Sequence, residues 1–160
     1  MAKAAHRKKS ATTTLRAPHV PKAGRYRVER QVGHLLRRAH QRHTALFAKH
    51  IGPAAFTPTQ WAALFKLWEL GSASQKELGR LTAVDAATMQ VLIHRLIQRG
   101  LIAQKEDSQD RRRSKLSLTR KGSELVVACI PRAEKITALT LSPLTPGEQR
   151  SLIKLLRLLA

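Results

Sequence analysis

Residues 85–122 read DAATMQVLIHRLIQRGLIAQKEDSQDRRRSKLSLTRKG. Asp85 is a helix cap, and Met89, Leu92, Ile93 and Leu96 recur at the spacing of one helical face before Gly100 closes the segment. Residues 101–104 (LIAQ) and 115–118 (KLSL) then read as two short strands. Between them lies a polar loop, EDSQDRRRS, with three consecutive arginines, so the pair predicts a β-hairpin with a long basic tip. Just upstream, Ser74-Gln75-Lys76-Glu77 is a capping box. It opens a short helix that buries Leu78 and Leu81 and ends by Val84. Two helices joined by a tight turn and followed by a basic hairpin make a helix-turn-helix with a wing.

The segments on either side are helical. Thr57-Pro58-Thr59-Gln60 supplies a cap, a proline at the first helical position and a glutamine three residues after the cap. Trp61, Leu64, Phe65 and Trp68 are expected on one face of that helix, with Gly71 as its stop. Before it, residues 28–50 place Val28, Val32, Leu35, Leu36, Ala39, Leu46 and Phe47 at helical spacing, with His43 and His50 on the same face by phase. Gly52 and Pro53 end that helix. After the wing, Thr119 caps a helix running to about residue 140, expected to bend at Pro131. Thr145-Pro146-Gly147-Glu148 opens a last helix whose leucines and isoleucine at 152, 153, 155, 156, 158 and 159 lie nearly all round it. The protein's own core cannot use every side of such a helix. The expected fold is mainly α with a small β-wing, in the order α-α-α-α-β-β-α-α. Residues 1–24 form a basic tail and 25–160 the domain, with 57–122 as the winged part and 25–52 and 123–160 as dimerisation helices.

The chain has 160 residues, with 30 Lys and Arg against 10 Asp and Glu, a formal charge of +20. A folding chain this basic points to a polyanion partner, nucleic acid before a membrane surface. Nine of the cations fall within residues 1–30 against the single acid Glu29. The tail before Gly24 has almost no large apolar residues and reads as disordered, either merely solvated or following a DNA backbone. A transit peptide is a weaker reading of the same composition. Cys129 is the single cysteine, which excludes an internal disulfide framework and a cysteine-built zinc finger. No apolar run approaches the ~20 residues needed to span a bilayer. A Gly-rich phosphate loop, G-x-S-x-G, H-E-x-x-H and paired pocket acids are all missing from the sequence, so an enzyme is not expected and no cofactor is called for.

The stretch GLIAQKEDSQDRRRSKLSLTRKG resembles the wing of the MarR family, whose pattern reads roughly D-P-x-D-R-R-x5-L-T-x-x-G. Asp107, Asp110, Arg111, Arg112, Leu118, Thr119 and Gly122 fall at the matching spacings, with Ser108 in place of the usual proline. The preceding helix is similar to the family's recognition helix, and the resemblance covers about residues 28–160. It implies a homodimeric winged helix-turn-helix transcriptional regulator, most often a repressor, that binds a palindromic operator in double-stranded DNA and is released by a small aromatic ligand. Such a regulator is cytoplasmic and nucleoid-associated. QVGHLLRRAHQRHTALF in the first helix is also similar to a subset linked to aromatic and heteroaromatic acid catabolism, nicotinate-type regulators included. Metal-responsive relatives and a non-specific architectural DNA protein are the alternatives. Thiol-sensing relatives carry a cysteine near the start of the domain; Cys129 lies mid-helix among Val126, Val127 and Ile130 and reads as a buried structural thiol.

With its apolar stripe buried, the recognition-type helix leaves Thr88, Gln90, Val91, His94 and Arg95 outward or flanking. Gln can pair with adenine, Thr can meet a base edge, and Val91 offers only apolar contact; phosphate or water contacts are the plainer alternative. In the wing, Arg112 is the choice for the minor groove, held by Asp110 through paired hydrogen bonds, while Arg111, Arg113 and Lys115 meet phosphates. A solvated loop is the bland alternative. The first-helix histidines have three readings. They are hydrogen-bonded core residues, or His43 with Arg38 or Arg42 binds a ligand carboxylate, or His40 and His43 help hold a metal. Phe47, Phe56, Trp61, Phe65 and Trp68 lie within 22 residues after His43, so a planar acid could rest on Trp61, Phe65 and Trp68. Carboxylates and cysteines to complete a metal set are missing nearby, so no metal site is assigned.

Arg112→Ala should weaken operator binding by about 1–3 kcal/mol if the side chain enters the minor groove. Asp110→Ala should weaken it as well, although removing a negative charge beside DNA ordinarily strengthens binding. Operator titrations of both variants check this, and tighter binding by Asp110→Ala would refute the clamp.

Overall fold

A computed structural model describes residues 26–106 and 114–159 of the chain. The basic tail 1–24 and the wing-tip residues Asp110, Arg111, Arg112 and Arg113 lie outside the described residues. A 3-10 turn, Val28–Arg30, precedes α1 (Val32–His50), α2 (Pro58–Leu70), β1 (Ser72–Ser74), α3 (Gln75–Thr82) and α4 (Ala86–Gln98). The wing strands β2 (Ile102–Glu106) and β3 (Ser114–Leu118), α5 (Arg120–Leu141) and α6 (Pro146–Leu159) follow.

The caps fall where their side-chain chemistry puts them. Thr57 accepts from the Gln60 N–H while the Gln60 side chain accepts from the Thr57 N–H, a complete capping box. Ser74 caps α3, Asp85 caps α4 and Thr119 caps α5, each accepting from the N–H three residues on. Pro131 sits inside α5 on an exposed side, and the helix is continuous through it.

The core gathers residues from α1 to α5 and the sheet: Phe47, Leu64, Leu67, Leu78, Met89, Leu96, Leu116, Val126 and Ile136 all have at most 3% of their surface exposed, while α6 buries none. Truncating one such leucine to alanine typically costs about 2–5 kcal/mol. α1 packs along α5, and α2, α3 and α4 pack in sequence beneath the sheet. The start of α5 is fixed to the end of α4 at very short range. Gly122 sets its Cα so close to the Leu101 carbonyl that a β-carbon there would collide with the oxygen. The Thr119 hydroxyl accepts from the Gly122 N–H and donates to the Gly100 carbonyl.

Three expectations need correction. The expected order gains a third strand: β1 pairs antiparallel with β3, Ala73 opposite Leu116, giving the sheet order β1-β3-β2. The first helix starts at Val32, because Gln31 is extended (φ −80°, ψ 135°) and separates the 3-10 turn from it. The wing strands run one or two residues beyond the expected spans, to Glu106 and from Ser114. Trp61, Leu64, Phe65 and Trp68 do share one face of α2, as expected; the fully buried arc, Ala63, Leu64 and Leu67, overlaps that face only at Leu64, so Trp61 and Phe65 are partly buried and Trp68 is 41% exposed.

Gly122→Ala should destabilise the protein by about 1–3 kcal/mol, the usual range for overpacking, since the obstacle is a backbone carbonyl that cannot swing aside. Urea unfolding of both proteins measures this; unchanged stability would mean the junction yields.

Candidate nucleic-acid interface

α4 buries Met89, Leu92, Ile93 and Leu96 and turns Thr88, Gln90, Val91, His94 and Arg95 outward, all five exposed. Burial of four residues on one stripe leaves the opposite side for polar work. At its start, Asp85 accepts from the Thr88 N–H at 2.9 Å, and that bond holds the carboxyl below the usual aspartate range. Near its end, the Gln98 Nε2 lies 2.9 Å from the His94 Nε2. An amide nitrogen can only donate, so in this contact the imidazole offers its lone pair at Nε2 and keeps its proton at Nδ1.

Concave surfaces flank this ridge. One, of about 580 Å³, is lined by Gln75, Gln90, Val91, His94, Gln98 and Gln104. Another, of about 460 Å³, lies towards the start of α2 and is lined by Thr57, Thr59, Gln60, Thr88, Val91 and Arg95. At the base of the wing, β2 and β3 set Lys105 directly opposite Lys115, and β1 sets Ser74 opposite Lys115. A third concavity, of about 670 Å³, joins Lys76, Ser114 and Lys115 along that edge. The structure thus brings Thr88, Gln90, Val91, His94, Arg95 and Lys115 to a single polar and basic side.

The expected effector residues divide between two helices. Arg42 and His43 on α1 reach the last turn of α5: Arg42 Nη2 donates to the Leu139 carbonyl at 3.2 Å, and His43 Nδ1 lies 3.0 Å from the Thr140 hydroxyl. That hydroxyl donates to the Ile136 carbonyl at 2.8 Å, so it accepts from His43, whose proton is on Nδ1 and whose Nε2 carries the lone pair. Burial first, and His40 second, lower the pKa of His43. Its ring meets Phe47 at 5.9 Å, and Phe47 belongs to the core that Trp61 and Phe65 pack against. Trp61, Phe65 and Trp68 form a tilted chain with centroids 5.6 and 5.7 Å apart. Arg38 is exposed one turn before Arg42. Thr140, Leu139, Arg99 and Arg132 were not singled out from the sequence; their partners lie far away along the chain, and no local pattern marks them. Among the described residues no three His, Cys, Asp or Glu side chains come together as a metal site. Cys129 is buried, and burial raises its thiol pKa against the opposing pull of Arg132.

Residues 56–114 match the sequence profile of the MarR family. The HTH-type transcriptional repressor NicR of Pseudomonas putida is 42% identical over 132 residues, which cover 82% of this chain and 84% of NicR. A probable transcriptional regulator from Pseudomonas aeruginosa superposes with a TM-score of 0.81 at 46% identity, covering 84% of this chain and 100% of that one. BpsR of Bordetella bronchiseptica, whose DNA binding is regulated by 6-hydroxynicotinic acid, superposes with a TM-score of 0.80 at 40% identity, covering 85% and 97%.

The depressed pKa of His43 makes stability depend on pH. Its folded value lies below the ordinary 6.5, so the unfolded chain binds more protons. The contribution is fully present above about pH 6.5 and is lost as the pH falls from there through the folded value. His43→Gln, which keeps a donor for Thr140, should show a smaller loss between pH 7.5 and 5.5 than the parent. Urea unfolding at the two pH values measures both slopes; equal slopes would remove His43 as the cause.

Proposed function

The chain belongs to the MarR family of transcriptional regulators, and from that premise we propose that it is a repressor released from a palindromic operator by a small aromatic or heteroaromatic carboxylic acid. The observation that carries the DNA half is α4 itself, with four apolar residues buried and Thr88, Gln90, Val91, His94 and Arg95 exposed beside a basic wing base. Gln90 and Thr88 read base edges, and Arg95 and Lys115 hold phosphates. From the sequence, Arg112 with Asp110 is the proposed minor-groove contact, and Arg111 and Arg113 are proposed to meet phosphates.

Two copies act together. Val32, Leu35 and Leu36 on α1 and Leu155, Leu158 and Leu159 on α6 are 47–75% exposed in the single chain. Exposed leucines in that number suit a two-fold interface between copies built from residues 25–52 and 123–160. The dimer sets two α4 helices on successive major grooves, about 10 bp apart centre to centre or a small multiple of that. The protein works on the chromosome in the cytoplasm; among the described residues no helix is long and apolar enough to cross a membrane.

The effector half rests on the regulation of BpsR by 6-hydroxynicotinic acid and on the α1 cluster. The carboxylate pairs with Arg38, Arg42 or His43, and the ring lies towards Trp61, Phe65 and Trp68. A ligand there shifts DNA affinity only by its differential affinity for two arrangements of the α4 pair.

Footprinting on the DNA upstream of the chain's own gene should give a single protected palindrome; uniform coverage would favour an architectural protein instead. 6-Hydroxynicotinic acid should quench tryptophan fluorescence and release that operator. His43→Ala should blunt the release while leaving ligand-free operator affinity near the parent's. A parent-like response would put the ligand elsewhere, and loss of DNA binding without ligand would make His43 a structural residue.

A further inference from the structure

We propose that Arg99 is a positioning residue that passes the arrangement of α1 and α5 to the recognition helix α4. The inference rests on the reading of α4 as the DNA-reading element. Arg99 follows the last residue of α4 and stays in register with it, its N–H bonding the Arg95 carbonyl at 3.2 Å. Its side chain reaches 45 residues back in sequence. Nη2 donates to the Ala54 carbonyl at 2.6 Å, and the guanidinium carbon lies 4.9 Å from the centre of the Phe56 ring. Ala54 and Phe56 are both buried, in the connector between α1 and α2.

The other end of that connector lies against α5. Gly52 (φ 87°) lies directly against the Arg132 guanidinium, which occupies the place a β-carbon would take. Two arginines thus meet residues 52–56, Arg99 at the end of α4 through a hydrogen bond and a ring contact and Arg132 of α5 by close approach at Gly52. Ala55 between them has a positive φ of 48°, a conformation an alanine keeps only when its surroundings impose it. The α4 end of the linkage is equally tied to α5: the Arg99 carbonyl accepts from Lys121 Nζ at 3.1 Å, and the Gly100 and Leu101 carbonyls accept from the Thr119 hydroxyl and N–H.

Apolar contacts hold α4 sideways but give little direction. A planar guanidinium that bonds a carbonyl and stacks on a ring fixes both distance and angle. Movement of α1 against α5 must shift residues 52–56, and Arg99 converts that shift into a tilt of α4 about its C-terminal end. α4 has 13 residues and is about 20 Å long, so a tilt of about 3° displaces its Thr88 end by roughly 1 Å. That displacement is enough to spoil a hydrogen bond to a base edge. Proximity by itself is no proof of coupling, so the test must read coupling directly.

The experiment is amide hydrogen exchange on the full chain, with and without a duplex carrying the footprinted site, and no effector present. In the parent, DNA should slow exchange over α4 and also over residues 51–56, which lie behind it. Arg99→Met keeps the apolar stem but neither bond nor charge. It should bind the duplex within about threefold of the parent, keep the protection over α4 and lose the slowing over 51–56. Operator release by 6-hydroxynicotinic acid should then need at least tenfold more acid. Phe56→Leu, which removes the ring but leaves the Ala54 carbonyl, should weaken the remote slowing and decides the matter if Arg99→Met does not fold. Remote slowing that is absent in the parent, or that persists in the variants, overturns the proposal. A parent that binds its site but ignores the acid counts against the effector reading alone, because the exchange arm uses no ligand. If no protected site exists, the operator reading fails, and a non-specific duplex still reports the link from α4 to the connector.

Discussion

The contact between Gly122 and the Leu101 carbonyl fixes where everything else can go. Because no side chain intervenes, the first turn of α5 lies directly on the residue that begins the wing. Thr119 then does two jobs with one hydroxyl, accepting the Gly122 N–H and donating to the Gly100 carbonyl. Its own N–H takes the Leu101 carbonyl. The end of α4, the root of β2 and the start of α5 therefore move as one piece. The start of the long helix that packs on α1 thus anchors the C-terminal end of α4, the helix that faces outward with Gln90 and Arg95.

Much of this was legible in the sequence, and for a local reason. A cap acts over three residues, so Thr57, Ser74, Asp85 and Thr119 each announced a helix that the structure contains. The stripe of Met89, Leu92, Ile93 and Leu96 announced which side of α4 is free. Interactions between distant segments left no such trace. Ser72, Ala73 and Ser74 carry no β-branched residue, and they form a strand only because β3 offers partners some forty residues on. Helical phase put His43 on the inner side of α1, but nothing near it points to Thr140 as the acceptor of its proton. Helical phase set Trp61, Phe65 and Trp68 on one face of α2, but only packing against the other helices makes Ala63, Leu64 and Leu67 the fully buried arc beside them.

The molecule separates two kinds of polar chemistry. On the α4 side, glutamines, a histidine and cations stand exposed around shallow concavities. On the α1–α5 side, arginine and histidine are already spent on backbone and hydroxyl oxygens of a neighbouring helix. Any acid that engages Arg42 or His43 competes with bonds that hold α1 to α5. Recognition of such an acid would therefore carry a mechanical price within the protomer, paid where the two long helices meet.

The strand order β1-β3-β2 has a further consequence for life in a crowded cell. β3 lies in the middle, with partners on both sides. The two outer edges belong to β1, which is three residues long, and to β2, where Lys105 stands in the strand. Short edges and lysine-bearing edges are poor templates for a strand from another chain. Copies of the chain crowded together can thus bring these sheets close without edge-to-edge aggregation.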